Sequence, residues 1–424
     1  MSVDPEAGGE PNVASNLALH EEVARRRAHG EHIVHLGFGE SRFPIHPGLV
    51  DALRHGVGDS GYADVAGTLA ARSAVAGYWS RRALPTAAHD VVLGPGSKPL
   101  LFALFAALGG PIVVPRPCWV TYPAQIRAIG AQVISVPVPP DGGGVPDPDL
   151  LDRVLVEARA AANPVKAVVL TLPDNPTGTL ASAAAIERVC RSCAEHDVLV
   201  VSDEIYGDVL HPGVSAPVSP ARIVPDRVVV TAGLSKSHSL GGWRIGVARF
   251  PATATGDALR RGVLARGSEI WSSLAAPMQA VAEYAYNEPE GLTQWVGKCA
   301  ATHAAVTREL RQVFLDVGAS CAEPAGGFYL YPDFGQHRKQ LAWRRVHTGA
   351  EFASFLLNRY GVAVLAAEHF GEVASALRFR AATSLLYGDG GTAGRCLDSE
   401  HPGNEQNVRD ALSLVRAAFA DLLG

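Results

Sequence analysis

The chain has 424 residues, 47% hydrophobic and 19% charged, with a formal net charge of −5 at pH 7. That length supports two or more cores, and the charge supplies no basic face for nucleic acid or an anionic membrane. No apolar run approaches the roughly 20 residues of a membrane helix, and six cysteines in so long a chain do not make a disulfide framework.

The start, MSVDPEAGGEPNVAS, is acidic and lacks the apolar stretch of a secretion signal. Together these features place the protein in the cytoplasm. Arg25, Arg26 and Arg27 read as a solvated face of an N-terminal helix. Between about 90 and 250, seven apolar runs read as strands: 91–96, 111–117, 131–138, 166–173, 198–205, 227–235 and 244–250. Helical segments such as KPLLFALFAAL and AAAIERVCRSCAEH lie between them. Near-continuous apolar strands alternating with helices predict an α/β unit, a mainly parallel sheet covered on both faces. Only a short segment joins the last two strands, which leaves room for one antiparallel strand.

Cys190 and Cys193 form a CxxC, but they fall within a helical pattern with no second ligand pair nearby. They read as a thiol-lined helix face, and no metal is expected. A helical stretch follows over about 254–316. Beyond it, GGFYLYPDF, GVAVLAA and LRFRAATS read as strands of a smaller α+β domain, closed by a helix over 405–422. The Gly-rich stretch 387–403 reads as a surface loop. The resulting division is an N-terminal segment, 1–50, that joins the small domain, a large domain over 51–290 and a small domain over 291–424.

Only five lysines (Lys98, Lys166, Lys236, Lys298, Lys339) stand among the 37 basic residues, so one in a special setting is conspicuous. Lys236 follows a buried strand, amid small residues that let a ligand approach, and suits a covalent nucleophile as well as a surface loop. Beside it, Ser235 and Arg244 suit a phosphate. A second anion element is GPGSKP, where the backbone N–H groups of Gly96, Ser97 and Lys98 open a helix. Asp203 ends an otherwise apolar strand, where open parallel sheets hold ligands. A carboxylate there is costly unless it meets a cation.

In order and spacing, GPGSKPL, PRPCWVTYP, LPDNPTGT, VSDEIYGDV and GLSKSHSLGGWRIGV resemble the fold-type I pyridoxal 5′-phosphate (PLP) enzymes of the class I/II aminotransferase family. The likeness runs from about Leu36 to the C-terminus. It implies a seven-stranded, mainly parallel sheet, a PLP cofactor held as a Schiff base on Lys236, and a homodimer with shared sites. It further implies that Asp203 pairs with the pyridine nitrogen, that Asn175 and Tyr206 hydrogen-bond the phenolic oxygen, and that Trp119 stacks on the ring. Gly96, Ser97, Lys98, Ser235 and Arg244 would surround the phosphate, joined by Tyr62 from the partner subunit. For the substrate, the resemblance nominates Arg378 as the α-carboxylate clamp, with Arg380 as the nearby competitor that the register disfavours, and Gly39 on the segment that closes over the site.

These motifs imply an aminotransferase that moves an amino group between an α-amino acid and a 2-oxo acid. The same scaffold also supports β- or γ-elimination, replacement or cyclisation, including chemistry on S-adenosylmethionine or a cationic amino acid. His238, where the aminotransferase pattern more often has an aromatic or aliphatic residue, keeps that alternative open, as do Glu269, Trp271 and the 387–403 stretch.

Overall fold

In the computed structural model, which describes residues 13–139 and 142–423, twelve strands are formed. They are β1 (Val34–His35), β2 (Val91–Gly94), β3 (Ile112–Arg116), β4 (Val133–Pro137), β5 (Ala167–Thr171), β6 (Leu199–Asp203), β7 (Val228–Gly233), β8 (Gly246–Arg249), β9 (Tyr329–Leu330), β10 (Val362–Ala363), β11 (Leu365–Ala366) and β12 (Phe379–Ala382). The acidic start up to residue 12 lies outside the described residues.

Seven strands make the main sheet in the order β2-β8-β7-β6-β5-β3-β4. β8 runs antiparallel to both neighbours, and the remaining pairings are parallel. The pleat of the strand explains the unbroken apolar runs, because successive side chains face opposite sides. Val113, Val168, Val200 and Val230 pack into one core, and Ile112, Val114, Val169, Val201 and Val229 into the other. With helices on both faces, neither set of positions tolerates polar residues.

The second core is built on the helix Glu290–Asp316, which supplies Val306, Leu310, Val313 and Phe314. Phe334, Phe352, Phe379 and Phe419 fill its centre, with Phe314 meeting Phe334, Phe379 and Phe419 edge-on. The N-terminal segment enters this core through Val34, Leu36 and Phe43, and β1 pairs in parallel with β10.

The stretch 387–403 differs from the loop expected of it. It forms a helix, Gly390–Asp398, and a short 3-10 turn, Pro402–Asn404. The Asp389 N–H donates to Thr392 Oγ1 at 3.1 Å, which fixes the first turn. Ala393, Cys396 and Leu397, at helical spacing, are buried. The glycines cluster at the start of this helix, and three apolar contacts outweigh their low propensity.

All six cysteines are free and buried, and burial pushes the Cys190 thiol up to about 12. No helix among the described residues is long and apolar enough to cross a membrane.

Candidate active site

The carboxyl ends of β2, β3, β5, β6 and β7 lead into the segments that carry GPGSKP, Trp119, DNPTG, Asp203-to-Tyr206 and Lys236. An open α/β sheet gathers ligand groups along that edge.

At the β2 end, Gly96 adopts φ +95° and opens the helix Ser97–Leu108 with no side chain capping its first turn. A Cβ on Gly96 would lie 2.4 Å from Arg244 Nη2, so the guanidinium rests directly on this turn. A Cβ on Gly246 would come within 2.3 Å of Ser97 N, which brings β8 flush against the same backbone. Lys98 is held below its usual range by burial and by the charges of Arg244 and Lys236. Uncapped helix N–H groups and converging cations make an anion cradle. Ser235 is half-buried beside Lys236.

Asp203, the last residue of β6, is 1% exposed. Its Oδ2 accepts from Tyr122 Oη at 2.7 Å and its Oδ1 from Thr231 Oγ1 at 3.2 Å. Burial lifts this carboxyl to about 6 despite those donors and the nearby Lys236. A carboxylate so placed is relieved by a cationic N–H. Trp119 packs edge-on to Tyr122 at 5.2 Å, and Lys98 Nζ lies 5.2 Å from the centre of its ring.

Lys236 Nζ donates to the Gly39 carbonyl at 2.7 Å. Gly39 has no room for a side chain, since a Cβ would fall 2.1 Å from Tyr329 Oη. Tyr206 Oη meets Tyr329 Oη at 2.7 Å, and burial together with that neighbour holds the Tyr206 phenol well above its usual range.

The turn carrying Asn175 is shaped by its neighbour. Asp174 Oδ2 accepts from the Thr177 hydroxyl at 2.6 Å and from its N–H at 3.2 Å, while burial raises the carboxyl to about 7. Asn175 Oδ1 then accepts from Arg380 Nη1 at 3.0 Å.

This contact separates the two arginines. Arg378 donates from Nε to Asp333 Oδ2 at 2.8 Å and from Nη1 to Glu372 Oε1 at 3.3 Å, with its side chain 39% exposed. Two carboxylates already neutralise it. Arg380 is 2% exposed, donates from Nη2 to the Gly37 carbonyl at 2.9 Å, and lies 4.7 Å over the Tyr329 ring. Its Nε is buried without a hydrogen-bond partner. Arg380, not Arg378, is the arginine brought to the cluster.

Tyr62 stands apart from the cluster, 92% exposed. His238 is buried with Nδ1 against Ser237 Oγ at 2.8 Å, and burial pushes its imidazole down to about 4. It lines a separate cavity of about 370 Å³ with Tyr78, Arg82 and Glu288. Tyr122, Thr231 and Tyr329 join the site without having been singled out in the sequence. Tyr122 carried one signal, its place three residues after Trp119.

The family model for aminotransferase class I and II matches residues 31–384. The chain belongs to the aminotransferase class I and II family. An aspartate aminotransferase of Bacillus sp. (strain YM-2) is 29% identical, with 88% of this chain and 93% of that protein covered. An arginine–pyruvate transaminase of Pseudomonas aeruginosa is 31% identical, over 84% of this chain and 87% of its own. The solved aspartate aminotransferase of Thermus thermophilus with maleate superposes with a TM-score of 0.81 at 25% identity, covering 96% and 97% of the two chains.

As a member of this family, the aminotransferase is PLP-dependent and works on amino acids and 2-oxo acids. The residues present fit that cofactor. The anion cradle at Gly96–Lys98 suits its phosphate, and the buried Asp203, lifted by burial to about 6, suits its ring nitrogen.

Proposed function

We propose that this aminotransferase is a cytoplasmic homodimer that holds PLP on Lys236 and clamps the substrate α-carboxylate with Arg380. In it, a large unit over 51–290 carries the cofactor, and a smaller one over 291–424, joined by 1–50, closes the site. The carrying observation is the pair of carbonyls at Gly37 and Gly39, which anchor Arg380 Nη2 and Lys236 Nζ. One short segment thus holds both the amine and the guanidinium at the site.

When bound, PLP supplies an electron-accepting ring that takes up charge as the substrate's Cα–H bond breaks. Asp203, fixed by Tyr122 and Thr231, holds a proton on the ring nitrogen. Asn175 and Tyr206 hold the phenolic oxygen, Trp119 covers the ring, and Gly96, Ser97, Lys98, Ser235 and Arg244 hold the phosphate. Arg380 orients the substrate through its carboxylate, which meets the unpartnered Nε–H. Lys236, freed from the cofactor, carries the Cα proton. Gly39 lets its segment lie against Tyr329, where any larger residue would collide, and so keeps that segment over the site.

The exposed Tyr62, with Val57, Leu69 and Ile270, supports a dimer in which Tyr62 reaches the partner's phosphate. Free thiols at all six cysteines support a reducing compartment.

Initial rates with amino acid and 2-oxo acid both varied test the reaction. Parallel double-reciprocal lines are expected, since the first product leaves before the second substrate binds. Intersecting lines, or turnover continuing beyond one equivalent per site without any 2-oxo acid, would count against transamination.

A further inference from the structure

Tyr206 and Tyr329 are 123 residues apart in sequence, yet their hydroxyls meet at 2.7 Å and each residue is only 2% exposed. Tyr329 is held on three sides. A Cβ on Gly178, in the DNPTG turn, would lie 2.3 Å from its carbonyl oxygen. The Arg380 guanidinium lies 4.7 Å over its ring, and its hydroxyl fills the space beside Gly39. The hydroxyl is therefore fixed where Tyr206 meets it.

Each phenol has a single hydrogen and an oxygen that accepts. Without a third partner, either member of the pair can donate. An anionic acceptor binds the Tyr206 hydrogen more strongly than a neutral phenol does. Once Tyr206 donates to the phenolic oxygen of PLP, its own oxygen is left to accept, and Tyr329 must donate.

We propose that Tyr329 is a positioning residue that donates to Tyr206 Oη and thereby strengthens the hydrogen bond Tyr206 makes to the cofactor. The proposal rests on the role given to Tyr206 above. Successive hydrogen bonds polarise one another in a poorly solvated site. The Arg380 charge over the Tyr329 ring draws electron density from it and makes its hydroxyl a better donor. The charged and titratable groups facing Tyr206 are Tyr329, Arg380 and Asp203, and the charge of Lys236 acts on Asp203. Tyr329 supplies the hydroxyl bonded to Tyr206 among them.

A phenolic oxygen that receives a stronger hydrogen bond gives less support to a proton on the nitrogen linking PLP to Lys236. That nitrogen then titrates at lower pH. Tyr329→Phe keeps the ring beneath Arg380 and beside Gly39 while removing the donor.

The test is a pH titration of the visible absorbance of PLP-loaded wild type, Tyr329→Phe, Tyr206→Phe and the double variant. The midpoint of Tyr329→Phe is expected to rise by about 0.5 to 1 unit. Tyr206→Phe should rise further, and the double variant should match it. An unmoved or lowered midpoint in Tyr329→Phe, with Tyr206→Phe raised, would overturn the relay alone. If Tyr206→Phe is also unmoved, the role of Tyr206 falls and the relay with it.

Discussion

Lys236→Ala is expected to lower turnover by about 10⁴-fold, the upper range for one positioned acid–base group. It should also end covalent retention of the cofactor. Borohydride treatment of the PLP-loaded wild type should fix the cofactor to the chain through denaturation, and the labelled peptide should contain Lys236. Lys98 is the physical competitor, because burial and neighbouring charge hold it below its usual range, which favours a nucleophile. Its amine, however, lies over the Trp119 ring beside the anion cradle, whereas the Lys236 amine lies against Gly39 and next to the field of Asp203. Label on Lys98, or turnover retained by Lys236→Ala, would contradict the assignment.

The two arginines of LRFRAATS should separate sharply. Arg380→Ala removes a buried guanidinium bonded to Asn175 and to the Gly37 carbonyl. Truncating the arginine's side of a buried pair with the substrate carboxylate costs about 2–5 kcal/mol, which corresponds to a fall of roughly 30- to 5,000-fold in kcat/KM. Arg380→Lys keeps the charge without the fork and should recover only part of the loss. Arg378→Ala removes a partly exposed ion pair with Asp333 and Glu372. Pairs of that kind contribute about 0.2–1 kcal/mol, so kcat/KM should stay within a fewfold of wild type. Steady-state kinetics on the three variants checks this, and a reversed order would return the carboxylate to Arg378.

These arginines mark where sequence reading stops. Residues two apart near a strand share a face, so alternation does not separate Arg378 from Arg380, and only the register of the resemblance favoured Arg378. What distinguishes them comes from elsewhere: Asp333 and Glu372 neutralise one, while Asn175 engages the other. The main sheet was legible for the opposite reason, since strands buried on both faces must be apolar throughout. Asp203 and Lys236 were legible because a charge at the end of such a strand, and a lysine in a lysine-poor chain, stand out locally.

Tyr329 carries no such mark, and Tyr122 only its place three residues after Trp119. Each is an ordinary aromatic in its own segment, and becomes part of the site only through a partner 81 or 123 residues away. The helix at Gly390–Asp398 was hidden by composition, because glycine density argued for a loop while the burial of Ala393, Cys396 and Leu397 decided otherwise.

A single turnover with one amino acid at a time and no 2-oxo acid tests transamination at this site most directly. The PLP-loaded enzyme should release one equivalent of 2-oxo acid per site, lose its visible cofactor band, and stop with the amino group retained. Continued release of ammonia or of a side-chain leaving group, with the band restored after each turnover, would contradict it and assign the site to elimination or replacement.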